Sequence, residues 1–272
     1  MKKENCKKIG QCKLCQKKDI VLVKGHIVPD FLYQRIKEKG LLKVYVQKNP
    51  RAKSFAELTS DVCGTGWYDY MFCKNCDCVV LQNYEDYAAP IVKSLFEMDD
   101  SQFPHGMLYG EEIKYGLFKR FFLSILYKAA VQKLQNLKAP DLGKKYTDKI
   151  RLYLLDSNLD IPEGFCPVLL FWVPKHEQAS QLIEFPFYHY DKNLRVHSYM
   201  FLMGELMMYC SVTTNQVSLA MSQNMIKENG TCNVTIHNGA FAQKTLDMKS
   251  ASLAKTKHRL KMSGICGDLR IS

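Results

Sequence analysis

Cys12-Lys13-Leu14-Cys15 and Cys73-Lys74-Asn75-Cys76 are the two stretches whose reading decides the fold of this 272-residue chain. In each, two residues separate a pair of thiols, a spacing that lets both sulfurs meet one tetrahedral ion at about 2.3 Å. Two pairs complete the shell, so Cys12, Cys15, Cys73 and Cys76 are read as ligands of a single structural Zn²⁺. The chain opens MKKENCKKIGQCK, charged and without an apolar run behind it, which is not the pattern of a secretory signal. Eleven cysteines in such a chain suit a reducing compartment, where Cys-x-x-Cys pairs indicate metal rather than disulfides. A cytoplasmic location is therefore expected. Cys78, beside the second pair but out of step with it, and the isolated Cys6 and Cys63 read as reduced bystanders.

Between the pairs, residues 20–23 and 27–28 are short β-branched runs on either side of Lys24-Gly25-His26, the pattern of a small hairpin or kinked strand. Pro29 ends it, and Asp30 can cap a helix reaching residue 39, with Gly40 closing it. Residues 41–46 read as a strand, and the polar stretch to residue 66 reads as an insertion. From Cys76 onward, Val79, Val80, Tyr84, Tyr87 and Ala88 recur at helical spacing, with Pro90 as a kink or an end. The second cysteine pair thus opens a helix, where free N–H groups and the helix dipole favour thiolate. Knuckle, hairpin and helix in this order predict a treble-clef zinc module over residues 1–90. Residues 91–272 read as a second α+β domain of unknown role, with helices at about 114–156 and antiparallel strands at about 166–240. Gly204 divides the longest strand run or marks a bulge.

Composition bounds the partners. Apolar residues make up 47% of the chain, enough for an ordinary core. Lys and Arg outnumber Asp and Glu by 38 to 27, and residues 1–24 carry eight lysines against Glu4 and Asp19. A zinc site of four thiolates has charge −2, so the formal +11 falls to about +9. That balance attracts a polyanion. Lys13, Lys17, Lys18, Lys24 and Lys74 are the candidates for salt-dependent contacts to a nucleic-acid backbone. The most apolar helical segment, 117–131, is interrupted by Lys119, Arg120 and Lys128, so no membrane span is expected. Trp67, Tyr68, Tyr84 and Tyr87 read as packing residues.

Gly25-His26-Ile27-Val28-Pro29 between the two cysteine pairs resembles the zinc-stabilised HNH endonucleases, over residues 12 to about 88. Cys-x-Leu-Cys, Gly-His-Ile-Val-Pro-Asp-Phe-Leu-Tyr and the later Phe-Phe-Leu-Ser-Ile-Leu-Tyr-Lys-Ala-Ala at 121–130 are similar to a bacterial HNH-like group. The resemblance implies hydrolysis of phosphodiester bonds in DNA or RNA with Mg²⁺ or Mn²⁺ as the catalytic ion, an activity that a bacterial defence effector would use. In it, His26 is the general base, a role that suits the one side chain that is a neutral proton acceptor near neutral pH. Asp77, directly after Cys76, is the metal ligand, where the family often has His or Asn. Gly25 stands where the family has Asp or His, and the family's asparagine falls near Tyr68 or Asp69, so Asp69 is a further carboxylate candidate. Glu85 lies eight residues beyond Asp77, about 80° away around an ideal α-helix, and is assigned to orienting His26. The alternative is a catalytically silent module that binds nucleic acid or protein through its zinc fold. A third reading makes residues 91–272 a sensor or oligomerisation domain that controls the front module, through a regulatory partner or a second copy of the chain.

Overall fold

The computed structural model describes residues 8–38, 41–46, 59–63, 66–98, 107–108, 113–134, 139–173, 183, 187–191, 196–212 and 219–236. Cys6, the first three lysines, the polar stretch 47–58 and the basic segment 244–261 lie outside the described residues. The fold is α+β. β1 (Lys8–Gly10) leads through the first cysteine pair into β2 (Ile20–His26), and Pro29 hands over to the short helix α1 (Asp30–Ile36). That helix stops short of residue 39 because β3 (Lys37–Glu38) turns back to pair with β4 (Leu41–Val46). β4 pairs in turn with β5 (Thr59–Cys63), so part of the expected insertion is a small antiparallel sheet.

β6 (Tyr68–Cys73) pairs antiparallel with β2, giving a first sheet of order β1-β2-β6. A π-helical segment (Cys76–Leu81) follows at once and continues into α2 (Gln82–Glu97), which runs straight through Pro90. Then come β7 (Met107–Leu108), α3 (Tyr115–Val131) and α4 (Gly143–Leu155). β8 (Val168–Trp172), β9 (Phe187–Asp191), β10 (Val196–Met203), β11 (Leu206–Ser211), α5 (Leu219–Asn224) and β12 (Cys232–Ile236) complete the described chain. Their sheet has order β7-β12-β8-β11-β10-β9. It is antiparallel except where β12 lies parallel to β8, a mixed sheet where the sequence suggested a wholly antiparallel one. The chain reaches β12 through α5, which packs on both strands, and such a crossover is what a parallel pair requires. Gly204 does divide the strand run: with φ of +65° it opens the two-residue turn joining Met203 to Leu206.

α3 is buried on nearly every side, with Phe118, Phe121, Phe122 and Ile125 fully enclosed. Its cations are enclosed too, rather than reaching water, and each finds oxygen partners, as burial of charge demands. Lys119 Nζ donates to Tyr115 Oη at 2.8 Å and to the Pro162 and Glu163 carbonyls at 2.9 and 3.0 Å. Burial brings its pKa down to about 8. The Arg120 guanidinium donates to the carbonyls of Tyr153, Asp156 and Leu159, closing the C-terminal end of α4. One hydrophobic core runs from Cys12 and Leu14 through α2, α3 and α4 to β8 and β12. Residue 90, where the sequence suggested a boundary, lies inside α2.

Candidate functional site

The first cysteine pair sits in a tight turn between β1 and β2. The Cys12 amide donates to the Lys17 carbonyl at 3.0 Å and the Gln16 amide to the Cys12 carbonyl at 3.0 Å, with Gln16 in the left-handed region at φ +63°. The Lys13 amide donates to Met71 O at 2.9 Å, tying this turn to β6, whose last residue is Cys73. The result is convergence: the sulfurs of Cys12, Cys15, Cys73 and Cys76 all lie within 4.8 Å of one another. Cys15 Sγ and Cys73 Sγ are 3.9 Å apart. The edge of a tetrahedron with metal–sulfur bonds of about 2.3 Å is about 3.8 Å, so these thiols can hold one metal ion.

Electrostatics inside the cluster follow from crowding. Burial pushes the Cys12 thiol up, yet the amides of Cys73, Cys15 and Leu14 outweigh it and leave Cys12 below the ordinary thiol range. Burial holds Cys15 and Cys76 above that range, and the nearby Cys12 adds to the shift at Cys76. Two helices secure the turn from outside: Tyr127 Oη of α3 donates to Lys13 O at 2.6 Å, and Arg151 Nη1 of α4 to Leu14 O at 3.0 Å. Cys78 is exposed and does not join the cluster.

Beside the cysteines lies a pocket of about 340 Å³. β2 contributes Lys24, Gly25 and His26, the π-helical segment contributes Asp77, α2 contributes Glu85, and α3 contributes Lys128. His26 and Asp77 therefore meet in one pocket, although they are far apart in sequence. Regular α-helical winding would set Asp77 and Glu85 about 80° apart. The π-helical turns widen the winding to roughly 4.4 residues per turn, or about 82° per residue, which largely cancels that offset. This wider winding puts both carboxylates on the pocket side, and Glu85 is one of the groups that raises the Asp77 carboxyl, after burial itself. Lys128 and His26 act in the opposite direction on Asp77.

Glu85 is held by a lysine rather than by His26. Lys128 Nζ lies 2.5 Å from Glu85 Oε1, with side-chain exposures of 3% and 14%. His26 Nε2 faces instead Asp30 Oδ1 at 4.0 Å, at the start of α1, while Asp30 Oδ2 accepts from Gln34 Nε2 at 2.6 Å. Asp69 does not come to the pocket: its carboxylate accepts from the amides of Tyr70 and Lys133 at 2.7 and 2.8 Å, joining β6 to the end of α3. Among the described residues, the four cysteines are the one group of three or more candidate ligands gathered closely enough for a shared ion. Lys17, Lys18, Lys24 and Lys74 are exposed and Lys13 is half-buried.

Gly25 has a packing reason for lacking a side chain. A Cβ there would lie 2.5 Å from Asp77 Oδ1 and 3.0 Å from Asp77 Cγ. Asp77 can approach the strand only because position 25 is bare. The clash is with the end of a side chain alone, so Gly25→Ala is expected to displace the Asp77 carboxylate and to cost about 1 kcal/mol of stability, the low end of overpacking. In the Asp77→Ala background the same change should cost little, and chemical denaturation of the four chains measures the difference.

Sequence reasoning missed Asp30 and Lys128 as pocket residues. Spacing gave no signal for Asp30, because the chain between it and His26 is not helical, and Lys128 gave none either, because in sequence it only interrupts an apolar helix. Comparison with protein-family models, curated proteins and solved structures finds no match to this chain.

Proposed function

We propose that this chain is a zinc-stabilised, HNH-like hydrolase of nucleic-acid phosphodiester bonds, with a treble-clef arrangement of knuckle, strand pair and helix around Cys12, Cys15, Cys73 and Cys76. An all-sulfur tetrahedral donor set suits Zn²⁺ among the common divalent ions. The observation that carries the catalytic part is the shared pocket of His26 and Asp77, each positioned by an element that the cysteine cluster anchors.

The pocket's charge favours a cation. Asp30, Asp77, Glu85 and Asp86 face Lys24, Lys93 and Lys128, four carboxylates against three ammonium groups. Asp77 is the carboxylate suited to an ion, since Glu85 is bound to Lys128. One or two carboxylates with water suffice for Mg²⁺, and such an ion would supply charge neutralisation at the phosphate. His26 takes the proton from the attacking water, and Asp30, with Oδ1 4.0 Å from Nε2, stabilises the imidazolium that results. Lys128 keeps Glu85 fixed and lowers the pocket's negative charge.

Purified protein is to be incubated with plasmid DNA and with RNA, in Mg²⁺ or Mn²⁺, beside a His26→Ala variant. Loss of the base should slow cleavage by about 10²–10⁴-fold. No cleavage by the wild type, or equal cleavage by both, would leave the second reading, a zinc-dependent nucleic-acid-binding module without catalysis. What favours that second reading is that Glu85 is bound to Lys128 and that only the cysteines form a set of three or more ligands among the described residues.

A further inference from the structure

The outer face of the β1-β2-β6 sheet has a composition unlike a buried sheet face. Register pairs Lys24 with Tyr70 and His26 with Tyr68, and directly opposed residues of an antiparallel pair project to the same side. Tyr68 and Tyr70 are 37% and 38% exposed, where the sequence reading had Tyr68 as packing. Lys24 Nζ stands 3.3 Å from the centroid of the Tyr68 ring, and Lys8 Nζ stands 5.0 Å from that of Tyr70. His26 meets Tyr68 edge-on, with centroids 6.5 Å apart. Two exposed aromatic rings, each with an ammonium group against it, thus lead along the strands to the residue that lines the pocket.

We infer that this face is a track for single-stranded nucleic acid ending at His26, with bases stacking on Tyr68 and Tyr70 and phosphates meeting Lys8 and Lys24. The inference rests on the proposed function for the class of its occupant. The argument for a single strand is that only unpaired bases present their faces to side-chain rings, whereas a duplex keeps them stacked inside. Charge complementarity agrees: residues 8–24 hold five lysines against Asp19. Every base has a π-face, so the track reads little sequence, and its affinity falls as salt rises.

The test is fluorescence anisotropy with labelled oligothymidylate and oligouridylate of about 16 nucleotides, using zinc-loaded full-length protein without added Mg²⁺ or Mn²⁺. Tyr68→Ala/Tyr70→Ala should weaken binding at least tenfold, while Tyr68→Phe/Tyr70→Phe keeps it within about twofold. Lys8→Ala/Lys24→Ala should flatten the slope of log affinity against log salt by about 1.4, two contacts at roughly 0.7 each. A duplex of equal length should bind more weakly than the single strand. Unchanged binding by both the alanine and the lysine pairs, or preference for the duplex, overturns the track. The two readings fail separately: cleavage without these binding effects removes the track alone, whereas these effects without cleavage remove the hydrolase alone.

Discussion

Cys73→Ser is expected to abolish metal binding and to leave the front half unfolded at 37 °C. Cys73 ends β6 just ahead of the helical segment, and its amide donates to Cys12 Sγ at 3.4 Å, so strand and knuckle turn are tied together at this residue. Structural zinc in small modules carries on the order of 10 kcal/mol of folding free energy, comparable with the whole stability of an ordinary domain. Metal analysis of the wild type should find one zinc per chain, and circular dichroism should show the serine variant melting early and over a broad range. Cys78→Ser is the control, because that thiol is exposed and outside the cluster. A wild type with no bound metal, or a serine variant that melts like the wild type, would dispose of the zinc centre.

The second large effect is expected at Lys128. Lys128→Met removes the partner of a nearly enclosed carboxylate and leaves Glu85 with an uncompensated charge, costing about 3–5 kcal/mol. For a chain of this size that should lower the melting temperature by roughly 10 °C. Adding Glu85→Gln should recover most of the loss, since the penalty lies in the orphaned charge more than in the missing attraction. Thermal melting of the wild type, both single variants and the double variant gives the coupling directly. Equal losses that simply add would mean that the pair is not the unit proposed.

These two results bear on what could be read from the chain. The cysteine pairs were legible because ligand spacing is a local property, fixed by bond lengths within four residues. The long apolar helix was legible for a similar reason, since its periodicity is wide and unbroken, and α3 spans Tyr115–Val131 as that pattern suggests. Lys128 was not legible, because its meaning comes from Glu85, which lies on another helix. The exposure of Tyr68 and Tyr70 was also hidden: a tyrosine on a strand looks the same in sequence whether or not another layer covers it. β12 joining β8 in parallel depends on a crossover through α5, and an isolated run of β-branched residues does not reveal its partner.

The widened turns between Cys76 and Leu81 have one more consequence. A helix that starts at the cysteine cluster and ends against a neighbouring helix has both ends held, so the phase between them is a number set by the residues in between and their winding. Here that number is set by one loosely wound stretch. Ordinary winding over the same residues would swing everything downstream by about 70°. Glu85 and Asp77 would then point in different directions with every residue of the pocket still in the chain. The winding of this stretch is thus as much a part of the site as the side chains themselves.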